Sequence, residues 1–290
     1  MLPVGLGLSR RLFEREVAPR LGGLPAAAGL VGEGSDCFGF DDEVSRDHDW
    51  GPAVCLWFRR GDPAAPLEAV LADLPPVFEG YPVRATPGRT GVLEAGAFYR
   101  RFTGLERPPE TAAEWLAIPE HALAACTNGE VFADRCGAFT AHRQRLLDHY
   151  PEPVRLHKLA ACLEAAAQAG QYNLPRALRR GDVVAAALAQ AAFLRHAMGA
   201  AYLLARRYRP FSKWMFRALP DPALAAELEG LARAGTPGER VDRAEAASAI
   251  LVQALGGLTG SRDTFLLAHA RELRQGLPGE LMSMNPNVDG

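Results

Sequence analysis

The chain has 290 residues, of which 48% are hydrophobic and 23% are charged, a balance typical of a globular protein with a sizeable core. Its formal net charge of −2 provides no overall field that would attract a long polyanion, so we expect no extended nucleic-acid surface. The five cysteines are an odd number and include no C-x-x-C pair, which argues against a disulfide framework and a cysteine zinc site.

The amino-terminal residues 1–9 are apolar but lack a basic leader, so we expect no signal peptide. The longest apolar region, residues 183–198, is interrupted by Gln190, Arg195 and His196, which makes it too polar for an unaided membrane span. The cysteine content is typical of a reducing compartment. The sequence therefore predicts a cytoplasmic protein without a membrane partner.

The first half of the chain combines short β-like runs with predicted helices. Residues 67–74 carry leucine and valine at helical spacing, and residues 111–125 form a second predicted helix before a turn at residues 128–129. The β-like runs are residues 28–31, 52–58, 83–86 and 92–95. This alternation predicts a mixed α/β layer in a first domain that spans residues 1–150.

From residue 151 onward the pattern changes to long helical segments without a convincing strand. The predicted helices are residues 154–169, 181–207, 222–234, 241–256 and 261–275. Residues 277–290 are predicted to fray as a tail. We therefore predict an α+β fold, in which a small mixed-sheet core is followed by an all-helical bundle domain over residues 151–290.

A Gly-Ser pair and an Asp-x-Asp motif lie close together in the first domain. Gly34 and Ser35 are followed, after eleven residues, by Asp47, His48 and Asp49. In a strand, Asp47 and Asp49 would project to the same face while His48 points away. Two adjacent carboxylates repel each other unless a cation lies between them, and Mg²⁺ prefers such oxygen ligands together with substrate phosphates. The small glycine, the exposed amides and the Ser35 hydroxyl suit a polyphosphate, so the motif predicts a nucleoside triphosphate bound with Mg²⁺.

Placed between a β-like run and an apolar strand, this pattern resembles the DNA polymerase β superfamily of nucleotidyltransferases. More specifically, the chain resembles an uncharacterised bacterial nucleotidyltransferase-like family. The segments that carry this second resemblance are SRDHDWG (45–51), NGEVFAD (128–134), QAGQYN (168–173) and YRPFSKW (208–214). The resemblance implies a nucleotidyltransferase core followed by a helical domain, and it leaves the substrate open.

The superfamily pattern also implies a third carboxylate on a later strand, where it completes the metal site or deprotonates the acceptor. Glu94 and Asp134 are the two candidates; the alternatives are an exposed strand residue for Glu94 and a structural turn residue for Asp134. Lys158, on the first bundle helix, and Lys213, in the aromatic segment near residue 211, are candidate phosphate ligands. A solvated helix face is the alternative for Lys158.

Nucleotidyl transfer depends on positioning and charge neutralisation, so the lack of a nucleophile motif is expected. We hypothesise an Mg²⁺-dependent transfer of AMP from ATP, in which Asp47 and Asp49 hold one or two metal ions while Gly34 and Ser35 hold the β- and γ-phosphates. The acceptor is an unidentified small molecule, protein hydroxyl or RNA end. Two alternatives remain open: a catalytically inactive nucleotide-binding regulator, and an interaction protein whose helical bundle is the functional part. The structural alternative for the motif is an acidic surface loop over residues 34–51.

Overall fold

The computed structural model describes residues 5–46 and 50–288. The protein is α+β, with a small mixed sheet and many helices, as the sequence predicts. Its chain divides into two compact units. The sheet unit comprises residues 1–109 and 122–148, and the helical unit comprises residues 110–121 and 149–290. The third change of unit, between residues 148 and 149, lies next to the predicted domain boundary at residue 150, whereas the short segment 110–121 belongs with the helices.

The secondary-structure elements are numbered in chain order. The strands are β1 (Ala27–Leu30), β2 (Cys55–Phe58), β3 (Val77–Phe78), β4 (Tyr81–Pro82), β5 (Gly91–Glu94) and β6 (Glu130–Asp134). The α-helices are α1 (Gly5–Leu12), α2 (Ala18–Leu21), α3 (Ser35–Phe38), α4 (Ala65–Ala72), α5 (Ala95–Thr103), α6 (Ala112–Ala117), α7 (Glu120–Thr127), α8 (Ala138–Leu147), α9 (Glu152–Ala166), α10 (Leu174–Arg179), α11 (Val183–Leu204), α12 (Ser212–Met215), α13 (Pro222–Arg233), α14 (Pro237–Leu255), α15 (Leu266–Gln275) and α16 (Gly279–Met282). Phe13–Val17 and Ala167–Asn173 are π-helical, and Val44–Arg46 and Gly256–Leu258 are 3₁₀ turns.

A four-stranded sheet in the order β5-β2-β1-β6 lies at the centre of the sheet unit. β1 runs antiparallel to both β2 and β6, while β2 runs parallel to β5. Gly29 allows β6 to approach β1, since an added Cβ would lie 2.3 Å from the Glu130 carbonyl oxygen. The sequence did not predict β6 as a strand, and the strand predicted over residues 83–86 is absent from the described fold.

The two faces of the sheet are covered by different side chains, because neighbouring residues along a strand point to opposite faces. On one face, Leu56 belongs to an aliphatic cluster with Leu8 of α1 and with residues of α4. On the other face, Trp57 stacks on Phe139 with ring centroids 3.8 Å apart and meets Phe98 edge-on at 5.5 Å. This packing on both faces fixes the strands and therefore the loops that leave their ends.

α9 and α11 form the centre of the helical unit, and α15 packs against α9. The π-helical turn Ala167–Asn173 joins α9 to α10, and Gly181 reverses the chain into α11 with a φ of +68°. Gly170 lies directly against Phe193 of α11, since an added Cβ would be 2.2 Å from the Phe193 ring. The Asp182 carboxylate accepts the Ala185 amide and so caps α11.

The carboxy-terminal tail does not fray over its described residues. It contains α16, and the side chains of Leu281 and Val288 are buried. His157 and Lys158 of α9 bind backbone carbonyls of residues 284–287. The expectation of a loose tail is wrong because these polar contacts connect residues that are more than 120 positions apart and leave no local sequence pattern.

α11 is long and apolar enough to cross a membrane by length and composition alone, although the sequence interpretation judged this region too polar. In the structure α11 packs against α9, and its residues 196–203 are buried. One helix of this kind is weak evidence for a membrane span, and its most apolar window is 33% buried inside the protein, which is consistent with a soluble protein. The cytoplasmic location stays a prediction.

His142 of α8 is buried beneath Tyr99, with the two rings stacked at a centroid distance of 3.7 Å. Burial lowers the pKa of His142 to about 4. The imidazole is therefore neutral in the folded protein at neutral pH and protonates more readily in the unfolded chain. The stability that results is fully present above the ordinary histidine pKa and is lost as the pH falls toward 4.

Replacement of His142 by phenylalanine is expected to reduce the acid sensitivity of folding, because phenylalanine preserves the ring stack and cannot be protonated. Between about pH 6.5 and pH 4, the wild type is expected to lose up to about 3 kcal/mol through this group, a loss that the variant avoids. Urea unfolding measured across this range gives the difference. A variant that loses stability with the same pH slope as wild type would exclude this role for His142.

Candidate functional site

The glycine-serine turn, residues 32–36, connects the end of β1 to α3. An added Cβ at Gly34 would lie 2.2 Å from a carboxylate oxygen of Asp36, so a larger residue there would require the Asp36 side chain to shift. Ser35 begins α3 and is partly exposed. Within the described residues its hydroxyl makes no hydrogen bond. The turn therefore presents a hydroxyl and the first amides of a helix to one end of the sheet.

Asn128 holds the glycine-serine turn from the loop before β6. Its side-chain Oδ1 accepts the Gly32 amide at 3.1 Å, and its Nδ2 donates to the Gly32 carbonyl at 2.6 Å. Gly129 follows with a φ of +57°, and its amide donates to the Cys37 carbonyl at 2.8 Å. The Asn-Gly pair, which the sequence indicates only as a turn, thus fixes the shape of a second turn 96 residues away.

A buried ion pair lies directly beneath the glycine-serine turn. Asp36 is 1% exposed, and Arg84 Nη2 donates to its Oδ2 at 3.1 Å. The Cys37 amide donates to the other carboxylate oxygen at 2.9 Å. Burial raises the pKa of the Asp36 carboxyl above its usual value, and the Arg84 guanidinium opposes that rise. Asp36 is therefore a structural anion that depends on Arg84.

Three arginines, Arg84, Arg89 and Arg101, surround a small concavity beside the glycine-serine turn. Its volume is about 20 Å³, enough for one small polar group. Glu33 accepts a hydrogen bond from Arg101 Nη2 at 2.5 Å and lies 3.9 Å from Arg89 Nε. Together with Asp36, the five side chains carry three positive and two negative charges, so the concavity has a net positive charge that favours an anion.

Asp47, His48 and Asp49 lie outside the described residues, so the predicted carboxylate pair stays a prediction. The chain after them is held at Pro52, whose carbonyl accepts a hydrogen bond from the Arg84 amide at 2.8 Å. β2 then begins with Cys55 opposite Gly29. The chain therefore enters the sheet from the same end at which β1 leaves it for the glycine-serine turn.

Glu94 and Asp134 both lie at the opposite end of the sheet from the glycine-serine turn. Glu94 pairs with Phe58 at the last position of β2, and Asp134 pairs with Ala27 at the first position of β1. Over a four-residue strand this separation is about 10 Å. Neither side chain is brought to the turn by the register of the sheet.

Other contacts explain these two carboxylates. Arg60 Nε lies 3.4 Å from a carboxylate oxygen of Glu94. Asp134 accepts the amides of Gly137 at 2.7 Å and Thr140 at 2.8 Å, which caps the start of α8. Although burial acts to raise the pKa of Asp134, these hydrogen bonds leave it below its usual value. Asp134 therefore has the structural role that was its alternative interpretation.

The two predicted phosphate-binding lysines have different surroundings in the helical unit. Lys158 is fully buried, and its Nζ donates to the carbonyls of Pro286 and Asn287, each at 2.8 Å. Burial lowers the pKa of Lys158, and Glu120 opposes this effect. Lys213 of α12 is exposed, with its Nζ 5.2 Å from the centre of the Trp214 ring. Lys158 thus lies neither on a solvated face nor in an open site, while Lys213 is accessible.

A metal site would depend on residues 47–49. Among the described residues, no group of three histidine, cysteine, aspartate or glutamate side chains could hold a metal ion. The nearby carboxylates already have partners: Asp41 accepts the Gly5 amide and the Trp50 indole, and Asp42 accepts the Ser45 amide. Asp47 and Asp49 have the oxygen chemistry that Mg²⁺ requires.

A family model described as a domain of unknown function, DUF4037, matches residues 115–215. The matched region includes Asn128, Asp134, Lys158 and Lys213, and it begins well after the glycine-serine turn. Neither a curated protein nor a solved structure is significantly similar to the chain. Over residues 115–215, the chain is thus similar to a family whose function is uncharacterised.

Proposed function

We propose that the protein is an Mg²⁺-dependent nucleotidyltransferase of the DNA polymerase β superfamily, which moves AMP from ATP to an acceptor and releases pyrophosphate. The observation that carries the proposal is the glycine-serine turn with its three surrounding arginines. A turn that offers amides, a free hydroxyl and net positive charge suits a polyphosphate. The chain that follows Asp47 and Asp49 enters the sheet at this same end.

In the proposed reaction, an acceptor hydroxyl oxygen attacks the α-phosphorus of ATP. A bond forms from that oxygen to the α-phosphorus, and the hydroxyl proton passes to solvent water. The bond from the α-phosphorus to the bridging oxygen breaks as pyrophosphate leaves with its electron pair. Ser35 and the amides of the turn hold the β- and γ-phosphates, and Arg89 and Arg101 neutralise their charge. Mg²⁺, held by Asp47 and Asp49, would supply charge neutralisation between these carboxylates and the phosphates.

Glu94, Asp134 and Lys158 have no role in the proposed reaction. The two carboxylates lie at the far end of the sheet, and Lys158 is enclosed by the carboxy-terminal tail. Lys213 remains a candidate contact for phosphate or acceptor because it is exposed. The acceptor is a small molecule, a protein hydroxyl or an RNA end.

The experiment that tests the proposal supplies each α-labelled nucleoside triphosphate with Mg²⁺ and a cell extract. We expect transfer of label to one acceptor class, release of pyrophosphate, and loss of both on chelation of Mg²⁺. Fractionation of the extract into small molecules, RNA and protein identifies the acceptor. If ATP binds but neither transfer nor pyrophosphate release occurs with any fraction, the protein is not a nucleotidyltransferase.

A nucleotide-binding regulator is the second candidate function. One observation favours it: within the described residues, Glu33 and Asp36 are the only carboxylates that line the concavity, and each forms an ion pair with an arginine. Neither carboxylate is therefore available to hold a metal ion or to accept a proton. This function predicts that ATP with Mg²⁺ raises the melting temperature while pyrophosphate is never released. An interaction protein without a nucleotide would show no such stabilisation.

Replacement of Glu33 by glutamine is expected to strengthen the binding of a polyphosphate, because Glu33 competes with it for Arg101 and Arg89. Inorganic triphosphate measures this effect without a base or an acceptor. We expect its dissociation constant to fall about fivefold to tenfold, as the loss of one competing partly exposed charge would produce. Glu43, an exposed acidic residue on the same unit, provides the matched control as Glu43→Gln. Equal effects of the two substitutions would show that only net charge matters.

A further inference from the structure

A groove of about 580 Å³ runs along the helical unit between the arm formed by α9 and α10 and the returning helix α11. Its floor is made of small side chains. Alanines at six positions line it, and Ala169, Ala177 and Ala189 among them are buried. The volume lies within the range of small-molecule sites. The groove belongs entirely to the helical unit, whereas the glycine-serine turn belongs to the sheet unit and lies far from the groove in the sequence.

Positive charge is concentrated at the end of the groove near the turn at Gly181. Arg176 and Arg180 both line it and are exposed. The Arg176 guanidinium lies 3.5 Å from the centre of the Tyr172 ring. This contact orients the guanidinium, and its N–H groups, which point outward in the guanidinium plane, stay available to a ligand. In the described part of the chain, neither arginine forms an ion pair. Asp182, the only acidic residue among those that line the groove, is already engaged as the cap of α11.

Apart from Gln168, Asn173 and His196, the remainder of the groove is lined by alanines and Leu188. Leu188 lines its edge and is 68% exposed, so an occupant that covers this side chain removes apolar surface from water. No phenylalanine, tyrosine or tryptophan is among the residues that line the groove, so it offers no large stacking platform for a nucleobase.

The length of the groove indicates the length of its occupant. The residues of α11 that line the groove extend from Ala185 to His196, a rise of about 16 Å at about 1.5 Å per residue. An extended carboxylate of about twelve carbons spans roughly this distance at ordinary bond lengths. His196 lies toward the end of the groove opposite the arginines and is buried. The positive charge thus lies at one end of the groove, and the alanine floor extends from it along the length of the groove.

We propose that this groove binds a single-chain carboxylate amphiphile, whose anionic head is held by Arg176 and Arg180 and whose aliphatic chain lies on the alanine floor. Charge-assisted hydrogen bonds from two guanidinium groups hold the head, and burial of the chain and of Leu188 supplies the apolar contribution. The site is independent of the proposed nucleotide site. It is also a site for one molecule and not a surface for a bilayer.

Dodecanoate, kept below its micelle-forming concentration, is the probe for this proposal, and isothermal titration calorimetry on the full chain measures binding. We expect saturable binding of one dodecanoate, weaker binding of hexanoate, and no binding of the matched cation dodecyltrimethylammonium. The double variant Arg176→Gln/Arg180→Gln is expected to bind dodecanoate at least about tenfold more weakly. Arg179→Gln, which removes an exposed arginine that does not line the groove, is the control and is expected to bind like wild type.

A second pair of variants tests the groove itself. Ala185→Leu places a larger side chain on the floor of the groove and is expected to weaken dodecanoate binding at least about tenfold. Ala187→Leu, on the exposed face of the same helix, is expected to leave dodecanoate binding unchanged. Melting temperatures without ligand confirm that each variant is folded. The proposal is wrong if wild type fails to bind dodecanoate, if the cation binds equally well, or if the control variants weaken binding as much as the groove variants. Sedimentation with anionic phospholipid vesicles in the absence of dodecanoate binding would instead indicate a membrane-docking surface and would also overturn it.

Discussion

Replacement of Asp47 or Asp49 by asparagine is expected to lower Mg²⁺-dependent pyrophosphate release at least about a hundredfold, while the unfolding transition stays that of wild type. Asparagine keeps the size and one oxygen of the side chain but removes the negative charge. Because Asp47 and Asp49 would together hold Mg²⁺, removal of either charge is expected to weaken the binding of Mg²⁺ and therefore of the triphosphate. The rate of release and its dependence on Mg²⁺ concentration are the quantities to measure.

The Mg²⁺ titration distinguishes loss of metal binding from general damage. We expect any residual activity of the asparagine variants to need at least about tenfold more Mg²⁺ for half-saturation. Asp42→Asn is the matched control from the same acidic segment, because Asp42 has a separate structural role with Ser45. Its Mg²⁺ requirement should match wild type. Unchanged activity in both Asp47→Asn and Asp49→Asn would remove the metal site from the proposed mechanism.

The elements with a strong local pattern could be predicted from the sequence. The predicted strand at residues 28–31 corresponds to β1, and the predicted helix at residues 222–234 corresponds to α13. β6 was missed because its five residues carry an acidic residue at each end and follow a turn signal. Its strand state depends on pairing with β1, which no local window contains.

In the candidate site, too, some features could be predicted from the local sequence and others could not. Gly34 and Ser35 are adjacent in sequence, so their turn could be predicted from local chemistry. Arg84 is 48 residues from Asp36, and Asn128 is 96 residues from Gly32, so only the fold brings them together. A single sequence carries no signal for such pairs. The burial of Lys158 by residues that follow it by 128 positions is hidden for the same physical reason.

Replacement of Arg84 by methionine is expected to destabilise the sheet unit by about 3–5 kcal/mol, because it leaves the Asp36 carboxylate buried without its cation. Methionine keeps much of the aliphatic volume of the arginine side chain, so the loss of charge dominates. Asp36→Asn tests the cause. If the buried charge is responsible, the double variant Arg84→Met/Asp36→Asn is more stable than Arg84→Met alone, and urea unfolding of the four proteins in this cycle gives the coupling energy.

The pH dependence of the same cycle provides an independent check with a definite sign. Burial already raises the pKa of Asp36 above its usual value in the presence of Arg84, and removal of Arg84 raises it further. A carboxyl whose folded pKa exceeds its unfolded pKa favours the folded state when protonated, so lowering the pH from about 7 to about 5 should recover stability in Arg84→Met relative to wild type. The double variant has no carboxyl at position 36 and should recover none. Equal pH profiles for Arg84→Met and the double variant would show that Arg84 stabilises the turn through its other contacts and not through Asp36.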